Sequence, residues 1–258
     1  MSVVIGTNVP ALLAAHSLST NQSDLTQAMT RLASGKRINS AADDAGSISL
    51  AANLLASVKG AAMAKQNANA AIAAVQVADS ALVEVESMLQ RIRELKVQSL
   101  STGTYSNTDI TNMNSEITQL AAEIDDIAAN TKFNGTAVSG LALNPALRQD
   151  GTTAAMALPA FLSGAVASAS SVANVDTAIN SAAAARGSLG AFMNRLEAAV
   201  NNLSSIQANT AAAYSRVMDT DYAAESAAVA KGQVLQQAGA AILAQANAST
   251  QYVLTLLQ

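Results

Sequence analysis

From Ala45 to Ser99 the chain carries no proline, and apolar side chains recur at helical spacing through Ile48, Ala52, Leu55, Ala62, Val75, Leu82, Leu89 and Ile92. The pattern predicts one helix of roughly fifty residues, spanning roughly 80 Å at ~1.5 Å per residue. A helix that long outruns an ordinary globule, so the remaining segments must lie along it as partner helices.

The two ends of the sequence ask for partners too. Leu235, Gly239, Ile242, Ala246, Ser249, Val253 and Leu256 alternate steps of four and three, and Ala11, Ala15, Leu18, Gln22, Leu25, Met29 and Leu32 do the same near the other end. Such stripes are coiled-coil seams. The candidate self-assembly residues are therefore Leu18, Leu25, Met29, Leu32, Leu235, Ile242, Ala246, Val253 and Leu256.

Hydrophobic residues make up 50% of the chain, yet it holds three Phe, four Tyr and no Trp. Alanine inflates the apolar total, and its methyl buries little area at about 25 cal/mol per Å². Helices faced with alanine approach closely and gain little per contact, which favours a long thin bundle, a rod, over a bulky core. Charged residues are 12%, the net charge is -4 and the pI is about 4.9, so nothing favours a nucleic-acid partner. Cysteine is absent, which excludes disulfides and thiolate metal sites. The segment from Val3 to Ala15 imitates a signal-peptide core, but no basic residue precedes Arg31, so no cleaved signal is expected. Pro159 and Gly164 interrupt the apolar stretch from Ala154 to Ala169, and no membrane span is expected.

Two polar connectors punctuate the helices. After the first seam, Gly35 suits a left-handed cap, and the run through Asn39, Ser40, Asp43 and Asp44 suits turns and the start of a helix near Ala45. The second connector is Asp219 to Tyr222. Between them, Ser101 to Thr104 ends the long helix, Thr108 or Asp109 can cap a returning one, and Ile110, Met113, Ile117, Leu120, Ile124 and Ile127 form its apolar face. Asn134-Gly135 signals a tight hairpin, Leu143 to Ser171 loses periodicity, and helical period resumes from Val175 toward Tyr214.

Catalytic sets are missing. His16 is the sole histidine and sits in a helical segment without a nucleophile motif, and no phosphate loop, zinc set or dinucleotide fingerprint occurs. No enzyme, cofactor or metal is expected. The segment from Met88 to Gln98 is amphipathic, with Leu89, Ile92 and Leu95 inward and Arg91, Glu94 and Lys96 outward; Arg91 with Leu95 could also form a protein contact surface.

These residues closely resemble the bacterial flagellins. Leu32 to Asp44 is similar to that family's LSSGxRINSAxDDAA run, Leu89 to Ser99 to its LQRxRELAVQS segment, and Phe133 to Gly135 to its FNG turn. Arg186 to Arg195, Asp219 to Ala224 and Leu235 to Gln251 complete the match, which covers roughly residues 1 to 141 and 172 to 258. The resemblance implies a mainly α fold: a long antiparallel helical bundle with a terminal coiled coil and a small β-hairpin region. It implies an inner domain of residues 1–43 with 218–258 and an outer core of 44–217, with hairpin or loop at about 131–172.

The resemblance further implies a structural filament subunit that self-assembles into a helical tube for motility; the alternative is a hook-filament junction protein of the same helical type. Implied partners are further copies, hook-associated junction and cap proteins, and a cytoplasmic export chaperone on the C-terminal helix, with export through the flagellar apparatus to an extracellular filament. A host Toll-like flagellin receptor is implied at the matching positions Arg91, Leu95, Gln98 and Glu116. About thirty weakly patterned residues stand where longer members insert outer domains, so a thin, smooth filament is expected.

Overall fold

The computed structural model describes residues 7–143, 145–148, 150–153, 156–159 and 171–255. Helices α1 (Val9–Ser34), α2 (Ala45–Ser99) and α3 (Asn107–Asn130) precede four two-residue strands: β1 (Lys132–Phe133), β2 (Thr136–Ala137), β3 (Ala142–Leu143) and β4 (Met156–Ala157). Helices α4 (Val172–Met218) and α5 (Tyr222–Thr255) follow. The fold is mainly α, and β1 with β2 and β3 with β4 form two small antiparallel pairs. The chain divides into two compact units, residues 1–55 with 211–258 and residues 56–210.

In the unit 56–210, α2, α3 and α4 share the bulky core. Val85, Leu89, Ile92 and Leu95 of α2 meet Ile117 and Ile124 of α3 and Val175 and Ala178 of α4. A second cluster joins Val75 and Leu82 to Leu189 and Leu196, closed by Val138 and Leu158 from the strand region. Helix α2 has the length and apolar content of a membrane span, yet these same side chains face its partner helices. Arg186 fixes α4 against α2 by reaching Asp79 at 3.1 Å and Glu86 at 2.7 Å, and Arg93 pairs with Asp176 further along. These ion pairs are partly solvated, so they set rotation more than they stabilise.

Toward its N-terminal half α2 buries Ala61, Ala64, Ala68 and Ala71 in place of large side chains. Ala52 and Leu55, expected on the buried stripe, are exposed, and Ala51 is buried instead. Where most of the apolar positions are alanine, side-chain size carries little period, and facing residues such as Leu203 decide the buried face.

The helix ends follow local chemistry. Gly35 caps α1 at φ 69° and its N–H donates to the Arg31 carbonyl. Asp44 accepts from the backbone N–H of Gly46 and Ser47 at the start of α2, and Asp221 accepts from Ala223 and Ala224 at the start of α5. The cap of α3 is Ser106, two residues before Thr108 and three before Asp109. Its hydroxyl accepts from the Asp109 N–H, and the Asp109 carboxylate accepts from the Ser106 N–H. Asn134 and Gly135 turn the hairpin at φ 51° and 80°.

The Ser106 hydroxyl, and after it the Ser106 N–H, hold the Asp109 carboxyl below the usual carboxylate range. A depressed folded pKa contributes stability that is complete above the unfolded carboxylate pKa of about 3.9 and is lost as pH falls through the folded value. Ser106→Ala therefore lowers Tm by a few degrees at neutral pH, and its gap to the parent narrows as both are melted at pH values approaching 3.

Candidate assembly interface

In the unit 1–55 with 211–258, α1 and α5 run antiparallel and touch along one stripe each. Leu25 and Ala28 are buried, Ala11, Ala14, Leu18, Asn21 and Leu32 are half-buried, and on α5 the inward line is Val229, Gly232, Gln236, Gly239, Leu243 and Ala246. Leu18 and Leu25 lie over glycines: a Cβ built at Gly239 would stand 3.2 Å from Leu18 Cδ1, and one at Gly232 3.1 Å from Leu25 Cδ1. Side-chain amides tie the pair. Asn21 Nδ2 donates to the Gly232 carbonyl at 2.9 Å, Asn8 Nδ2 to the Ala246 carbonyl at 3.1 Å, and Gln236 Nε2 to Gln22 Oε1 at 2.6 Å.

A backbone clasp anchors one end of this pair. The Arg37 N–H donates to the Met218 carbonyl, the Thr220 N–H donates to the Gly35 carbonyl, and the Arg37 guanidinium reaches the Val217 carbonyl. Ile38, Ala51 and Met218 form a small core beside it. The Asp43 carboxylate accepts from the N–H groups of Ser40 and Asn39, which hold its pKa low and fold the connector onto itself.

The expected seam needs correction in its register. Leu18, Leu25 and Ala246 face the partner helix and Leu32 is half-buried, but Met29 (45% exposed), Leu235 (47%) and Ile242 (58%) lie on the flanks of the contact, open to solvent. Ala14, Asn21 and Ala28 replace Ala15, Gln22 and Met29 on the inward line of α1, and Gln236 and Leu243 replace Leu235 and Ile242 on that of α5. Glycine sockets accept the α1 leucines, whereas a row of Leu and Ile would hold the axes apart. Val253 and Leu256 lie outside the residues whose side chains are described. The signal that sequence reasoning missed was a shared spacing: Gly232 and Gly239 are seven apart, as are Leu18 and Leu25.

Apolar side chains beside the seam thus stay bare. Leu235 and Ile242 on α5, and Leu12, Leu13 and Met29 on α1, remain solvent-exposed on helices that otherwise bury small residues. Patches of this kind mark protein contact surfaces.

A second expected contact surface lies on α2 and α3. Arg91 bridges Glu116 at 3.0 Å and Glu94 at 3.4 Å on the surface, and Gln98 donates to the Tyr105 hydroxyl at 2.8 Å. Leu95 does not belong with them. It is 3% exposed and packs in the core with Leu89 and Ile92, because its position continues the buried stripe of α2.

Residues 5–138 match the family described as the bacterial flagellin N-terminal helical region, and residues 172–257 match its C-terminal helical region. The chain belongs to the bacterial flagellins. It is 35% identical over 302 residues to the flagellin of Bacillus subtilis (strain 168), covering 98% of this chain and 99% of that one. The flagellar filament core protein flaB2 of Brachyspira hyodysenteriae is 33% identical, covering 99% and 100%. The crystal structure of Bacillus cereus flagellin overlaps 58% of this chain and 94% of its own at 28% identity, with a TM-score of 0.47. Flagellins are structural proteins, so the bare stripes on α1 and α5 belong to a family of building blocks.

Proposed function

We infer that this chain is a structural subunit of the bacterial flagellar filament, self-assembling into a helical tube that serves motility. The observation that carries the mechanism is the outward stripe of Leu235 and Ile242, with Leu12, Leu13 and Met29 on the paired helix: apolar side chains that the chain's own seam leaves uncovered. Full burial of such a side chain is worth about 1.5 to 3 kcal/mol, and since these are 45–63% exposed, covering each in a neighbouring copy recovers roughly half of that. Residues 1–43 with 218–258 then form the inner layer of the tube and 44–217 the outer one. Seeded elongation followed by electron microscopy tests this. Long filaments are the expected product; short stubs that never extend would favour the junction protein instead.

The supporting partners follow from family membership. A cytoplasmic export chaperone holds the C-terminal helix, the subunit leaves through the flagellar export apparatus, and junction and cap proteins bound the filament outside the cell. No catalytic role is assigned, in keeping with a family of structural proteins. Arg91, Gln98 and Glu116 are the surface positions for a host Toll-like flagellin receptor. Arg91→Ala removes a cation that bridges two helices, and in a receptor reporter assay on purified monomer we expect it to cut signalling at least tenfold. Equal signals from parent and variant would remove the receptor from the partners.

A further inference from the structure

We propose that the backbone clasp at Lys36 and Asp219 sets the register in which α1 and α5 pair, and so fixes the surface that the pair offers to the next copy. The seam cannot choose its own register. On α1, Leu18, Leu25 and Leu32 are seven apart, and on α5 so are Gly232, Gly239 and Ala246. In the structure Leu18 lies over Gly239 and Leu25 over Gly232. Sliding the helices past each other by one heptad, ~10 Å, would put Leu32 over Gly232, Leu25 over Gly239 and Leu18 over Ala246. Two leucines would again sit over glycines. Asn21, which donates to the Gly232 carbonyl, would meet the Gly239 carbonyl instead. A repeat of small residues is therefore nearly indifferent to the slip, and register falls to whatever does not repeat.

The joint does not repeat. Lys36 and Asp219 form an antiparallel bridge, flanked by the Arg37 N–H on the Met218 carbonyl at 2.6 Å and the Thr220 N–H on the Gly35 carbonyl at 3.1 Å. Both helices leave it in step. Arg31, 3.7 Å from Glu225, stands five residues before Lys36, and Glu225 stands six after Asp219. Asn21 and Gly232 lie 15 and 13 residues out, Gln22 and Gln236 14 and 17, and Asn8 and Ala246 28 and 27. No two counts differ by more than three, less than the ~3.6 residues of one turn.

The chain also holds the slack that a slip needs. Residues 35–44 could reach roughly 30 Å if extended, yet they are folded back: the Asp43 carboxylate accepts from the N–H groups of Asn39 and Ser40 and from the Gln27 amide. With the clasp open, α1 could draw away from the joint by a heptad while this connector pays out. Leu235 and Ile242 would then shift ~10 Å against Leu12, Leu13 and Met29, and the bare apolar surface would no longer match a neighbour built in the original register.

The inference rests on the reading that these apolar side chains join copies, and the test separates the two. The chain has no cysteine. A Cβ built at Gly239 stands 3.9 Å from Leu18 Cβ, within the ~3.5 to 4.5 Å that a disulfide spans. Leu18→Cys with Gly239→Cys thus reports the present register, and Leu18→Cys with Ala246→Cys the slipped one. Each pair is placed in the full-length parent and in a chain with Arg37→Pro and Thr220→Pro, which lacks both clasp N–H donors. The chains are oxidised briefly with copper phenanthroline and intrachain products separated by mass, and seeded elongation is measured without the reporter cysteines. In the parent the 18–239 bond should form at least tenfold more than the 18–246 bond. In the proline chain the 18–246 bond should become the major one, and elongation should fall at least tenfold. Lys36→Cys with Asp219→Cys, oxidised in the proline chain, rebuilds the joint covalently and should restore elongation. An undiminished 18–239 preference in the proline chain would overturn the proposal. Loss of both bonds would do the same, because the clasp would then hold the helices together without choosing between registers, and so would a chain still stalled once the joint is covalent. A shifted bond with parental elongation would leave the register key standing and sink the role of the apolar side chains in joining copies.

Discussion

Replacing Ile242 by aspartate should stop filament growth while leaving the helical subunit folded. Ile242 is 58% exposed, so the carboxylate costs the monomer little and the parent helicity and Tm should persist. In the filament the same carboxylate would be buried without a partner. Even ~3 kcal/mol of desolvation, modest for an unpaired charge, corresponds to more than a hundredfold loss in association. Ile242→Ala should act in the same direction more weakly. Elongation from purified seeds, measured by light scattering, reads both; growth of Ile242→Asp at the parent rate would exclude the stripe from assembly.

The second large effect lies in the other unit and has the opposite profile. Leu89 is fully buried among Ile92, Ile117 and Val175, and Leu89→Ala leaves a cavity that the three helices cannot close without shifting. The expected cost is about 2 to 5 kcal/mol, a large share of the ~5 to 15 kcal/mol that holds a typical domain. Denaturant unfolding of the monomer should show the loss, whereas Leu100→Ala, on an exposed side chain at the end of α2, should change stability by less than ~0.5 kcal/mol. A Leu89→Ala midpoint equal to the parent's would mean that this cluster does not hold the fold.

Much of the fold was legible because bulky residues carry the helical period. Ile117 and Ile124 in α3, and Leu82, Leu89 and Ile92 in α2, were placed inward from spacing alone, and they are buried. Gly35, Asn134 and Gly135 announced their left-handed turns by residue type. Legibility failed where size stops varying. In the alanine-rich half of α2 the stripe slipped by a position, from Ala52 to Ala51. On α5 the seam was assigned to Leu235 and Ile242, because hydrophobicity counts what a residue offers and ignores what it makes room for. Glycine offers no side chain, so Gly232 carried no weight in such a count, yet it receives both Leu25 and the amide of Asn21. Spacing placed Leu95 inward, where it is, while its match to the receptor-contact motif pointed outward: a motif matched by position includes residues that shape a helix from inside as well as those that face outward.

The alanine stripe of α2 has a mechanical consequence. Methyl groups raise low ridges and have no rotamers to change, so Ala61, Ala64 and Ala68 offer a neighbouring helix little corrugation to climb. The half of α2 lined by Val85, Leu89 and Ile92 interlocks and resists axial shear, while the alanine half can yield by small displacements without opening a cavity. A load carried along this helix is therefore taken up unevenly, stiff at one end and compliant at the other.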